Sequence, residues 1–169
     1  LKSMQTLLFD LDNTLLDFTR SEQYALTEML LQLGIKPNPT ILNRYSELNL
    51  KQWELLEKGL ITRDEVRVRR YELLFAELKV NHSPQMANEI YDSYLGESFF
   101  YVDGAEDLLQ TLSSEYPLYM VTNGSSHIQK GRIKNSGIGQ YFKDIFVSEA
   151  IGHDKPSIEF FNYCFQRIP

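Results

Sequence analysis

Apolar and polar positions along the chain change period more than once. Leu7-Leu8-Phe9 is a short apolar run bounded by polar residues, which predicts a buried strand over 5–9. Beyond it the apolar positions fall three and four apart. Tyr24, Leu26, Met29, Leu30 and Leu33 predict a helix that opens on the capping-box spacing Thr19-Arg20-Ser21-Glu22 and stops at Gly34. Asn38-Pro39 reads as N-cap and first position of a second helix, which carries Ile41, Tyr45, Leu48, Leu55 and Leu56 towards Gly59. A second capping box, Thr62-Arg63-Asp64-Glu65, precedes Val66, Tyr71, Leu74, Phe75 and Leu78. Ser83-Pro84 then opens a fourth helix with Met86, Ile90, Tyr91, Tyr94 and Leu95.

Near Phe99 strands and helices begin to alternate. A helix through Leu108, Leu109 and Leu112 follows Asp103-Gly104, and a strand over 117–121 runs into Thr122-Asn123-Gly124. A helix over 128–135 stops at Gly137, a strand follows at 145–147, and a loop holding Lys155-Pro156 leads to a helix over 157–167. Four consecutive helices inside a strand–helix alternation predict an α/β core, 1–16 with 99–169, interrupted by a helical cap domain, 17–98.

Composition narrows the function classes. With 43% apolar and 24% charged residues in 169, the chain reads as an ordinary globular protein. A net charge of −6 gives no basic footprint, so neither nucleic acid nor an anionic membrane is expected as a partner. A lone cysteine, Cys164, excludes an internal disulfide and any multi-cysteine metal site. It fits a reducing compartment, and with no stretch approaching a membrane span or a signal peptide the expected location is cytoplasmic. Met4 is expected to be the natural start, after Leu1-Lys2-Ser3.

The candidate chemistry gathers at predicted strand ends. The first strand runs straight into Asp10-Leu11-Asp12-Asn13-Thr14. If strand geometry continues, both carboxylates point the same way and Leu11 points into the core. Two like charges there are costly unless a cation or hydrogen-bond donors balance them. A solvated turn is the plain alternative, since Asp and Asn are common turn residues. Thr122 followed by a Gly-flanked run of N–H groups opening a helix makes an anion cradle, and Lys155 adds a positive charge. Two carboxylates, an anion cradle and a lysine suit phosphoryl transfer, where positioning and charge stabilisation dominate.

These segments resemble a known family. Phe9-Asp10-Leu11-Asp12-Asn13-Thr14-Leu15 is similar to motif I of the haloacid dehalogenase (HAD) superfamily, Val121-Thr122-Asn123-Gly124 to motif II, and Lys155-Pro156 to motif III. The resemblance implies a Rossmann-like parallel sheet with an inserted helical cap. It implies Asp10 as the nucleophile that forms an aspartyl-phosphate and Asp12 as the acid and then the base. Thr122, Asn123 and Gly124 would bind phosphate oxygens, and Lys155 would offset charge on Asp10 and the phosphoryl group. Mg²⁺ would sit on the Asp10 carboxylate and the Asp12 carbonyl.

Asp12 sorts the reaction class, because a halide leaves without a proton and the dehalogenases of the superfamily carry no acid there. The segment Trp53-Glu54-Leu55-Leu56-Glu57-Lys58-Gly59, with Arg70-Tyr71, resembles the cap of the pyrimidine 5′-nucleotidase branch. The implied partner is a small phosphate ester, a pyrimidine nucleotide. Phe18, Trp53 or Tyr45 would supply an aromatic face for the base, against the plainer expectation that these rings belong to the cap's own core. The alternatives are a sugar-phosphate phosphatase or phosphomutase, and a truncated or degenerate phosphate-binding protein without turnover.

One departure stands out. The family's fourth motif, an acidic residue that completes the Mg²⁺ site, has no match after Lys155, and only three core strands are predicted. The chain is therefore expected to be a fragment, whose first strand lies at a sheet edge.

Overall fold

A computed structural model describes residues 5–169. Met4 and the three residues before it, and with them the expected start, lie outside the described residues. The chain forms two compact units, one running up to Ser21 and resuming over Leu95–Pro169, the other Glu22–Tyr94.

The first unit has the α/β fold that the alternation of strands and helices predicts. Its sheet has three parallel strands, β1 (Leu7–Phe9), β2 (Leu118–Thr122) and β3 (Asp144–Val147), in the order β1-β2-β3. Leu8 pairs with Tyr119, and Met120 with Ile145. Alternate residues of β2 serve opposite faces, as a two-residue period requires. Leu118 and Met120 pack with Leu11, Leu15, Leu16 and helix α5 (Ala105–Ser113) through Ala105 and Leu109. Tyr119 and Val121 pack with Phe146 and, through Phe160 and Cys164, with helix α8 (Ile158–Phe165).

The first strand lies at an edge of the sheet among the described residues, as expected, but it is not the buried strand predicted: β1 is only half-buried, while β2 is buried throughout. β1 has one neighbouring strand and β2 has two.

The second unit holds most of α1 (Phe18–Gln32), α2 (Pro39–Glu57), α3 (Arg63–Leu78) and most of α4 (Pro84–Glu97). Asn38 caps α2 through Ile41 N, with Pro39 at the first turn. Thr62 and Glu65 close a full capping box on α3. The box expected at Thr19–Glu22 does not form. α1 starts earlier, because Asn13 Oδ1 accepts from Phe18 N and Thr19 N and Asp17 Oδ1 accepts from Arg20 N.

A polar cluster sits inside this helical unit. Arg70 is buried, donates to Asn49 Oδ1 (2.9 Å) and Asn88 Oδ1 (2.7 Å), and lies 5.0 Å from the ring centroids of both Tyr71 and Tyr91. Burial pushes the hydroxyls of Tyr45, Tyr71 and Tyr91 well above their ordinary range, so these rings stay neutral around the guanidinium. Among the described residues no helix is long and apolar enough to cross a membrane.

Candidate active site

β1 ends at Phe9, and the chain folds into a tight loop rather than continuing as a strand. Leu11 turns into the core, fully buried, and its carbonyl accepts from the N–H groups of Thr14, Leu15 and Leu16. Asn13 takes a left-handed backbone (φ 58°), a conformation that Asn tolerates better than most residues. Its side chain caps α1, so Asn13 shapes the loop that carries the carboxylates.

Asp10 and Lys155 meet across the sheet. Lys155 Nζ donates to Asp10 Oδ1 (2.9 Å) and to the Val121 carbonyl at the end of β2 (2.8 Å). Asp10 Oδ1 also accepts from Leu11 N (2.8 Å), and Asp10 Oδ2 accepts no hydrogen bond among the described residues. Lys155 itself is fixed by Asn123. Lys155 N donates to Asn123 Oδ1 (2.8 Å), and Asn123 Nδ2 donates to Lys155 O (3.0 Å). The Asn123 side chain is thereby committed to the loop of Lys155.

The expected anion cradle is partly occupied by the protein's own side chains. Gly124 N donates to Ser148 Oγ (3.1 Å), and Ser126 N, at the start of α6 (Ser126–Ser136), donates to Glu149 Oε2 (2.7 Å). Ser148 and Glu149 belong to α7 (Ser148–Ile151), a single turn with no apolar period to announce it. Thr122 is fully buried, and its hydroxyl donates to Asn123 O (3.4 Å) and accepts from Gln129 Nε2 (2.9 Å).

Two residues absent from the sequence-based set complete the arrangement. Arg132 Nη1 donates to Asp12 Oδ1 and to Gln129 Oε1 (3.1 Å), while Gln129 Nε2 donates to Asp12 Oδ2 (3.0 Å). Arg132 and Gln129 are both buried, on the helix that the sequence places over 128–135. A periodicity search assigns buried positions to apolar residues, and here the buried face of α6 is polar. The sequence signal available was their three-residue spacing just after Thr122-Asn123-Gly124.

Charge balances in pairs: Asp10 has Lys155, and Asp12 has Arg132. This answers the cost of two adjacent carboxylates with protein cations. The oxygens left over, Asp10 Oδ2 and the Asp12 carbonyl, which no donor reaches among the described residues, are hard donors of the kind Mg²⁺ takes. They fit part of its shell. No cluster of three or more His, Cys, Asp or Glu residues able to hold a metal ion occurs among the described residues.

The aromatic candidates separate. Phe18 lies with its ring centroid 5.6 Å from the Arg132 guanidinium carbon. Tyr45 is fully buried and stacks on Tyr71 inside the helical unit. Trp53, in the same unit, is half-buried and donates through Nε1 to Asn49 Oδ1 (3.1 Å).

A family model described as haloacid dehalogenase-like hydrolase matches residues 7–168. The chain belongs to that family. This HAD-like hydrolase is 40% identical to the HAD-hydrolase YfnB of Bacillus subtilis over 169 residues, 100% of this chain and 72% of YfnB. It is 36% identical to the pyrimidine 5′-nucleotidase PynA of Streptococcus pneumoniae, covering 96% of this chain and 69% of PynA. The pyrimidine 5′-nucleotidase YjjG of Escherichia coli is 28% identical, with 95% and 70% covered. A magnesium-bound crystal structure of YfnB superposes with a TM-score of 0.93 over 99% of this chain and 74% of that one.

Proposed function

We propose that this HAD-like hydrolase cleaves phosphate monoesters through Asp10, and that its substrate is a pyrimidine nucleoside 5′-monophosphate. The observation that carries the proposal is the contact of Lys155 Nζ with Asp10 Oδ1, beside a second carboxylate, Asp12, two residues on. Lys155 withdraws charge from one oxygen of Asp10 and leaves the other without a donor, a state suited to attack on an anionic phosphoryl group. Asp12 favours an ester over a halide, since an alkoxide leaving group needs a proton. The substrate class is supported by PynA and YjjG, both named as pyrimidine 5′-nucleotidases.

In the proposed reaction an Asp10 oxygen attacks phosphorus, the bond from phosphorus to the ester oxygen breaks, and Asp12, which enters this step protonated, gives that oxygen its proton. Water then attacks the phosphorus of the aspartyl-phosphate and passes a proton to Asp12. The bond between phosphorus and Asp10 breaks, which releases inorganic phosphate. Thr122, Asn123 and Gly124 line the phosphate side, with the Thr122 hydroxyl as the direct partner and Asn123 acting by holding Lys155. Asp10 and the Asp12 carbonyl would hold Mg²⁺, which when bound supplies neutralisation of phosphoryl charge. The helical unit Glu22–Tyr94 is proposed as the cap, and Trp53, within it, as an aromatic partner of the base.

A substrate panel tests this reading. Phosphate release is measured from pyrimidine and purine nucleoside 5′-monophosphates and from sugar phosphates, with Mg²⁺ and with EDTA. The highest kcat/KM is expected for the pyrimidine nucleotides, with loss in EDTA and recovery on adding Mg²⁺. A preference for sugar phosphates overturns the substrate class, and indifference to EDTA overturns the metal. Release from none of them overturns the phosphatase.

A further inference from the structure

We infer that Arg132 and Gln129 are positioning residues, which orient the Asp12 carboxylate for proton transfer and tie it to Thr122. The inference rests on the phosphatase reading above and assigns the group that makes Asp12 serviceable in it.

Both side-chain oxygens of Asp12 are engaged, and among the described residues only these two side chains engage them. Arg132 is 0% exposed, and a guanidinium so buried needs a compensating anion close by; Asp12 supplies it. Gln129 fixes the rest of the geometry. Its Oε1 accepts from Arg132 Nη1, which obliges its Nε2 to point the other way, and Nε2 serves Asp12 Oδ2 and Thr122 Oγ1 together. The amide is therefore a junction between the proposed acid and the proposed phosphate-side hydroxyl. A carboxylate held at both oxygens has no free rotation about its last bond, and its orientation is preset before any substrate arrives.

The surrounding backbone is shaped to keep the junction in place. A Cβ on Gly131, between the two residues, would come within 2.6 Å of the Gly96 carbonyl, so α6 is seated directly on that backbone. A Cβ on Gly124 would meet Gln129 Cγ and Nε2 at 3.2 Å. Phe18 packs on Arg132 through a cation–π contact, while Arg132 Nε and Nη2 make no hydrogen bond among the described residues. That contact gives Phe18 a use in the core of the site rather than on the substrate.

The test separates leaving groups. Native protein, Gln129→Leu, Arg132→Lys, Arg132→Met and, as reference, Asp12→Asn are assayed for kcat/KM, which reports the steps up to departure of the leaving group. One substrate is a nucleoside 5′-monophosphate, whose alkoxide needs a proton, and the other is p-nitrophenyl phosphate, whose phenolate leaves without one. For Gln129→Leu and Arg132→Met the loss on the nucleotide is expected to exceed the loss on the aryl ester by at least about tenfold, the same signature as Asp12→Asn. Arg132→Lys recovers part of the nucleotide rate. Equal losses on both esters, or no loss on either, overturn the positioning role. Circular dichroism checks folding, and if Arg132→Met is unfolded, Gln129→Leu decides alone. If native protein cleaves neither ester, it is the phosphatase reading that fails.

Discussion

Asn123 and Lys155 hold one another across 32 residues of sequence: the Asn123 amide both accepts from Lys155 N, at 2.8 Å, and donates to Lys155 O, at 3.0 Å. A side-chain amide paired in this way to a peptide unit acts like one more rung of sheet beyond the end of β2. It fixes where the Lys155 side chain starts, and so where its ammonium meets Asp10.

Asn123→Ala removes both rungs. It is expected to cost about 2 kcal/mol of stability, two hydrogen bonds at the usual net value. The larger effect is on catalysis. kcat for nucleotide hydrolysis should fall by at least about tenfold as Lys155 loses its anchor, in line with the cost of a misplaced charge at a reacting centre. Urea unfolding and steady-state kinetics read the two effects separately.

Gly131→Ala reverses an ordinary rule. In a helix interior, Ala normally stabilises relative to Gly by about 1 kcal/mol. Here the added methyl meets the Gly96 carbonyl at 2.6 Å, a backbone atom that has no rotamer by which to yield. Net destabilisation of about 2 kcal/mol is expected from overpacking. A raised urea midpoint would show that α6 can shift freely.

Arg70→Met tests the polar cluster of the helical unit. It removes one donor from each of the Asn49 and Asn88 oxygens and an ion-pair partner, at 4.0 Å, from Asp92. On the order of 3 kcal/mol should be lost, because the partners of a buried charge are left desolvated. Trp53, whose indole shares the Asn49 oxygen, should show altered fluorescence in the folded variant.

Local rules carried much of the fold. The Thr62–Glu65 box and the Asn38-Pro39 start are written within four residues, and the structure has both. The Thr19–Glu22 box has the same spelling but loses to Asn13 and Asp17, because the loop after β1 presents their oxygens to the helix start first. At the site, the sequence pattern assembled Asp10, Asp12, Thr122, Asn123 and Lys155, residues whose types and strand-end positions advertise them. It passed over Gln129 and Arg132, since a buried polar face has no hydrophobic period, and over Ser148 and Glu149, whose partners are 24 and 23 residues away. Such pairings exist only once β2 and β3 lie side by side.

Asp10 is the proposed nucleophile, and Asn in its place keeps the shape of the side chain while removing the attacking carboxylate. With its fold verified, Asp10→Asn is assayed for phosphate release from a pyrimidine nucleoside 5′-monophosphate in the presence of Mg²⁺. With Asp10 as nucleophile the rate is expected to fall by at least about a thousandfold relative to native protein, since the covalent intermediate then has no acceptor carboxylate at this position. Retention of about a tenth or more of the native rate would contradict it.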